Sequence, residues 1–320
     1  MPTDLETILA AAVLAPSAHN TQPWKFKTAA NQLDFFIDWS RHLTVSDPTG
    51  RELYVSLGCT IANAVVAARH LGLAPTVTFF PEGEGKDHPA ARMVLAGRSA
   101  ASGTDAADLY GAVNDRRTDR SLYDGQPLTS AERSRLVITD NVVLVEDRAI
   151  IAALAELTGE STGKTLSRSD FKAELSHWVR NSWTRQADGM PGYAMGIPAP
   201  VSLVAPLMVR LTPIHRQQRV ETRQEMQSAS VVAVITSAQD TPRDWLVAGQ
   251  TLENLWLSAT AAGLAAMPLV AAIEAGESTR TRLREIIGGT RLPQSLLRIG
   301  HSQREELKAT PRRTVEDCLA

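Results

Sequence analysis

One pattern in this chain occurs twice, and it constrains the fold more than any other feature. Residues 58–74 read GCTIANAVVAARHLGLA and residues 249–265 read GQTLENLWLSATAAGLA. Without a gap, Gly58/Gly249, Thr60/Thr251, Asn63/Asn254, Ala68/Ala259, Gly72/Gly263, Leu73/Leu264 and Ala74/Ala265 are identical, each pair 191 positions apart. Two related halves explain this spacing; two unrelated helices with similar packing are the alternative. Leu53, Leu57, Ile61, Ala64, Ala68 and Leu71 form a helical stripe, as do Trp245, Gly249, Leu252, Trp256 and Ala259. Thr241-Pro242 reads as a cap followed by proline at the first helical position, and Gly72 and Gly263 as helix-ending glycines. Strands are expected beyond each helix, at Thr76–Phe80 and Ala265–Val270.

Earlier segments correspond more weakly. Ala12-Val13 opens a loop ending Gln22-Pro23, and Ala112-Val113 opens one ending Gln126-Pro127. Those offsets are 100 and 104 against 191 later, so roughly 90 residues are extra in the second half. The expected organisation is a first half over 1–100 and a second over 101–320, with an insertion at about 147–226. The insertion holds helical patterns at Asp147–Leu166 and Asp170–Trp183. Its stretch Asp188–His215 contains too many prolines and glycines for a long helix or central strand. Short apolar strands are expected at Ala91–Gly97 and Leu296–Gly300. Each half reads helix, loop, strand, long helix, strand, which predicts an α+β fold of two fused halves around one interface.

Lys and Arg number 33 and Asp and Glu 35, a net charge of −2 that gives no reason to expect nucleic acid or an anionic membrane as partner. The Ala-rich start lacks a basic segment and carries Asp4 and Glu6, so it reads as a helix with a Thr3/Glu6 capping box and Leu5, Ile8, Leu9 and Ala12 on one face. No apolar run is long enough to span a bilayer. Cys59 and Cys318 form no disulfide framework, so a reducing, cytoplasmic setting is expected.

Two loops carry candidate chemistry. Pro16–Trp24, PSAHNTQPW, is neutral and amide-rich; its counterpart Arg116–Asp124, RRTDRSLYD, places Arg116, Arg117 and Arg120 around Thr118. Arginine forks suit phosphate oxygens, and neutral amides and hydroxyls suit the polar edge of a heteroaromatic ring. Ser17 and Asn20 equally suit turn residues bonded to their own backbone, and the arginines a solvated helix end.

PSAHNTQPW, RRTDRS, GLAAMPL and LLRIGH followed by PRR resemble the nitroreductase family of flavin mononucleotide proteins, and most closely its twin-domain, Acg-like branch, in which two nitroreductase-like halves are fused. The resemblance implies an intramolecular pseudo-dimer with one FMN per chain between the halves and a lid-like insertion. Arg116, Arg117 and Thr118 would hold phosphate and ribityl, and Arg120 would lie near the N1–C2 edge of the ring. Pro16, Ser17 and Asn20 would meet ring and ribityl from the other half, while Gln22 and Trp24 anchor their loop. Pro268, Leu269 and Val270 would pack a strand end against the ring, and Arg312 or Arg313 would add a late phosphate contact. Ala18 stands where many relatives carry a second hydroxyl. The implied activity is ping-pong hydride transfer from NAD(P)H, a transient co-substrate, through FMN to a nitroaromatic or quinone-like small-molecule acceptor, by a monomer or weak homodimer. No side-chain acid or base is expected. The alternative is a non-enzymatic flavin-sequestering protein whose Met190, Tyr193, Met195 and Pro198 close the site.

Other motifs are weak. GEGKDH (83–88) lacks the third glycine of a dinucleotide fingerprint. GESTG (159–163) matches a nucleophile elbow in letters, but its flanks read helical.

Overall fold

The computed structural model describes residues 3–98, 104–304 and 307–320; the expected boundary near residue 100 lies outside them. In the first part the elements are α1 (Asp4–Ala12), β1 (Trp24–Ala29), β2 (Gln32–Ile37), α2 (Arg51–His70), β3 (Leu73–Phe79) and β4 (Ala91–Arg98). There follow α3 (Thr104–Asp115), α4 (Ser130–Arg135), β5 (Val142–Val145), α5 (Arg148–Ser167), α6 (Ser169–Trp178), β6 (Val179–Arg180), β7 (Met190–Pro191), α7 (Ala199–Ser202), α8 (Ala205–Leu211) and α9 (His215–Gln227). The chain continues through β8 (Val231–Ser237), α10 (Pro242–Ala261), β9 (Ala265–Leu269), α11 (Ala271–Glu274), α12 (Glu277–Ile286) and β10 (Leu292–Gly300). Capping boxes at Thr3/Glu6 and Thr241/Asp244 start α1 and α10, satisfying first-turn N–H groups that no helical carbonyl reaches. No helix among the described residues is long and apolar enough to cross a membrane.

Two antiparallel four-stranded sheets carry the fold, in the orders β1-β2-β4-β3 and β5-β8-β10-β9. The orders match strand for strand, and α2–β3–β4 has its counterpart in α10–β9–β10. Between β1 and β2 the chain needs only a tight turn at Ala30-Asn31, whereas residues 146–230 intervene between β5 and β8. The insertion therefore replaces a hairpin turn. Within it α5 packs along α9, and the proline-rich stretch breaks into short pieces, of which α8 is the longest helix.

The core reflects this duplication. Trp24, Phe26, Leu33, Phe35 and Met93 of the first sheet share one apolar cluster with Leu57, Ile61, Leu252, Trp256 and the Val231, Ala233 and Ile235 face of β8. The other face of β8, Val232 and Val234, packs with Ile151, Leu154, Ile273 and Leu283 of the insertion and second half. Buried on both faces, β8 reads VVAVITS, a continuous apolar run rather than an alternation.

The repeated helices α2 and α10 cross at their shared glycines. A Cβ on Gly58 would lie 2.2 Å from the Leu246 carbonyl oxygen, and one on Gly249 2.0 Å from that of Val55. Val55 and Leu246 are themselves 191 apart, so the crossing is close to two-fold symmetric. The second helical pattern of the insertion stops at Trp178, before the expected Trp183; the chain leaves α6 directly into β6. GESTG lies inside α5, where Gly159 and Gly163 admit the backbone of α9 and Ser161 donates to the Leu157 carbonyl at 2.7 Å. That Ser161 is buried helix interior, not a nucleophile on a strained turn.

Candidate functional site

The neutral loop of the first half is strained and tightly bonded. His19, Asn20 and Gln22 take φ values of 49°, 55° and 53°, a region that side chains other than glycine enter at a cost. The surroundings hold them there. Gln22 is fully buried; its amide donates to the Ala187 carbonyl at 2.7 Å and accepts from the Arg313 N–H at 2.8 Å. Asn20 donates to the carbonyls of Gly189 at 2.9 Å and Pro311 at 3.1 Å, and accepts from Arg312 Nη1 at 2.9 Å. Two neutral amides thus tie together three segments remote in sequence, at no ionic desolvation cost. Ser17 Oγ accepts from the Gln22 N–H at 2.9 Å, so it is a turn residue as well as a cleft residue.

Beside this loop lies a cleft of two lobes, about 430 Å³ and about 340 Å³. Pro16, Ser17, His19, Thr118, Arg120 and Met190 line both lobes. The outer lobe is cationic, with Arg116, Arg117 and Arg312 in its wall. Arg116 is buried against Glu253, Nε to Oε1 3.1 Å, with its guanidinium 4.6 Å from the Trp256 ring. Arg117 donates to the Asn114 and Arg116 carbonyls at 2.6 and 2.9 Å. Burial, then the neighbouring Arg116, depresses both Arg117 and Arg312, the latter to about 9. Arg116 and Arg312 face the buried carboxylate of Glu253, whose own pKa burial pushes up to about 7. The Nε atoms of Arg117 and Arg312 are buried without a partner. Cations outnumber carboxylates in the wall of this lobe, which Glu221 and Glu225 also line.

The inner lobe is more apolar. Met267, Pro268, Leu269 and Val270 at the end of β9 line it with Leu252, Trp256 and Phe171. Thr118 joins the edge of β9 through a parallel bridge to Ala266, which fixes the arginine-bearing loop to the second sheet. Arg120, near Glu225 and Arg298, donates to the Ala194 carbonyl at 3.0 Å. Burial holds His19 down at about 4, so its imidazole is neutral at physiological pH. Segment 190–196 spans the cleft, and Tyr193 Oη donates to the Ala309 carbonyl at 2.9 Å.

Eleven of the twelve residues singled out in the sequence, Pro16, Ser17, Asn20, Arg116, Arg117, Thr118, Arg120, Pro268, Leu269, Val270 and Arg312, line this one cleft. Arg313 does not; it faces away, within 3.7 Å of Asp38 and bonded to the Gln22 carbonyl at 3.3 Å. Of the candidate cover residues, Met190, Tyr193 and Met195 line the cleft and Pro198 does not. Sequence reasoning passed over His19, Glu52, Glu225 and Glu274, all in the inner wall. Glu225 lies on α9, whose polar heptads carried no motif. Glu52 carried a weak signal, an acid beside the apolar stripe of α2.

An α+β chain of two topologically equivalent sheets, with a cleft cationic at one end and more apolar at the other, is the class that fold and site define. No protein-family model matches the sequence. The chain is 28% identical over 326 residues to "Putative NAD(P)H nitroreductase Rv3131" of Mycobacterium tuberculosis H37Rv, spanning 98% of this chain and 90% of that one. It is 29% identical over 319 residues to "Putative NAD(P)H nitroreductase acg" of the same strain, spanning 96% and 92%. Among solved structures, a nitroreductase from Anabaena variabilis aligns over 94% of this chain with TM-score 0.49 and 12% identity. The resemblance read from the motifs is borne out by these curated homologues, which carry the nitroreductase name and match along nearly the whole chain.

Proposed function

We propose that this protein is an FMN-dependent NAD(P)H oxidoreductase, an intramolecular pseudo-dimer of two halves meeting near residue 100, with one flavin in the two-lobed cleft. The observation that carries this is the excess of guanidinium groups at the outer lobe beside a more apolar inner lobe. A phosphate would neutralise the first and a ring would cover the second, and a single ligand with both parts is a flavin mononucleotide. Arg117 and Arg312, with their unpartnered Nε atoms, would hold the phosphate; Arg116, locked on Glu253, supplies charge at short range. Thr118 and Ser17 present hydroxyls between the lobes, and Arg120 supplies the positive charge nearest the inner lobe. When bound, FMN supplies the two-electron chemistry that no side chain here can perform. The protein's part is to position donor and acceptor in turn over the inner lobe and to exclude water.

The test is the visible spectrum of the purified chain with flavin counted per molecule. One flavin is expected, and a chain with Arg117→Ala and Arg312→Ala should be folded and colourless. Unchanged yellow colour in that variant would move the phosphate elsewhere. A second reading, flavin sequestration, is favoured by the bonds Tyr193–Ala309, Arg120–Ala194 and Asn20–Gly189, which strap the insertion across the cleft. Anaerobic mixing with NADPH or NADH separates the two: bleaching within seconds identifies an enzyme, and a stable yellow colour identifies a store.

A further inference from the structure

The inner lobe holds a pair of carboxyl groups that the reading above leaves without a role. Glu52, at the start of α2, and Glu274, at the end of α11, line the same chamber. One cation serves them: Arg51 donates to Glu52 Oε1 at 2.9 Å, while its Nη1 lies 3.4 Å from the Gln294 carbonyl. The other charged groups facing the pair are Asp47, which accepts from the Glu52 N–H at 2.9 Å, and Glu174 of α6, which accepts from the N–H groups of Val45 and Ser46 at 2.9 Å. His19, Cys59, Arg120 and Glu225 complete the titratable lining of the lobe. The side chain of Glu274 makes no hydrogen bond or ion pair among the described residues. One guanidinium cannot neutralise four neighbouring carboxylates in a partly desolvated wall, so the pair retains a proton. Burial holds Glu274 well above the usual carboxylate range, with Glu52 adding to it, and burial pushes Glu52 up to about 7.

A second feature of the same chamber points to a ligand. Trp256 Nε1 and Ser295 Oγ are fully buried, line the lobe and have no hydrogen-bond partner. An indole N–H can only donate, and a serine hydroxyl and a protonated carboxyl donate as well. Trp256 Nε1 and the retained carboxyl proton are therefore free donors on this wall, beside a Ser295 hydroxyl that can donate or accept. These donors suit a compound that presents acceptor oxygens, such as a nitro group or a quinone carbonyl.

We propose, resting on the oxidoreductase reading, that Glu274 backed by Glu52 is the acid that delivers a proton to an oxygen of the acceptor bound in this inner lobe. For a quinone the balance is simple. NAD(P)H furnishes a hydride, two electrons and one proton, by way of the cofactor; the Glu274 O–H bond breaks and its proton goes to the carbonyl oxygen. The products are hydroquinone and NAD(P)+, and the carboxylate regains its proton from solvent.

Three variants test this. In E274Q the reoxidation of the reduced, loaded protein by benzoquinone should slow by about a hundredfold, the usual range for a lost general acid. Its reduction by NAD(P)H and its flavin content should not change. In E52Q the loss of the neighbouring carboxyl lowers the Glu274 pKa, so the fall of the reoxidation rate with rising pH should move to lower pH, a shift that a merely structural role would not produce. The third readout needs no cofactor: the apo-chain should show a protonated-carboxyl infrared band at neutral pH that E274Q lacks, with S295A as a control that keeps it. Reoxidation of E274Q at the parent rate, or a neutral apo-chain without that band, overturns the proposal. A colourless parent chain would instead overturn the flavin reading and leave the infrared result to be judged by itself.

Discussion

At the scale of single residues, the site depends on amides in an unfavourable backbone conformation. Gln22 is left-handed and fully buried, and is retained because its amide meets Ala187 on one side and Arg313 on the other. Gln22→Ala leaves a buried carbonyl and N–H unpaired and should cost about 1–3 kcal/mol, read from urea denaturation. Gln22→Glu should be worse, since it buries a charge against the Ala187 carbonyl. His301 belongs to the same scale. Its ring nitrogens lie 3.3 Å from Asp124 and 3.0 Å from Glu132, and these partners raise its pKa against the opposing effect of burial. A histidine raised in the folded state stabilises fully below its unfolded pKa near 6.5, and that contribution is lost as pH rises through the folded value. His301→Gln should therefore lower Tm at pH 5.5 and change it little at pH 9.

Among elements, α2 and α10 cross in close backbone contact. Gly58→Ala or Gly249→Ala sets a methyl group about 2 Å from a backbone oxygen, which no rotamer change relieves. Either should destabilise by about 1–3 kcal/mol or more, measurable as a lowered denaturation midpoint with little change in slope. This contact was partly legible in the sequence. The 191-residue offset identified both helices, their glycine ends and the strands after them, because periodicity and capping are local signals. That the two copies touch each other is not local, and neither is the shared strand order. Strand β8 passed unremarked because an apolar run buried on both faces has no alternation to detect. The site divides in the same way. Arginine and amide motifs pointed to the cleft, whereas Glu52 and Glu274 acquire their meaning only when α2 and α11 bring them to one wall.

For the whole molecule, the balance of buried charge predicts how stability depends on pH and ligand. Asp47 is pushed to about 6 and Glu52 and Glu253 to about 7, in each case chiefly by burial, and burial raises Glu274 well above the usual carboxylate range. A carboxyl raised on folding binds its proton more tightly in the folded state, so stability falls as pH rises from the unfolded value through the folded one. His19, held at about 4, works in the opposite direction, but only between pH 4 and 6.5. The ligand-free chain should therefore melt at a lower temperature at pH 8 than at pH 6.5, and Glu253→Gln should flatten that slope. An anion that fills the outer lobe should raise Tm by mass action, inorganic phosphate modestly and FMN more, and Arg312→Ala should reduce both gains. The glycine crossing also bears on how such a molecule could change over generations. Each forbidden methyl group would strike a main-chain oxygen and, at 2.9 Å, the Cα of the opposing glycine, so no compensating side-chain substitution across the seam can rescue it. Neither half is free to diversify there alone, although exchanging one copy of the repeat for the other would carry the required glycine with it.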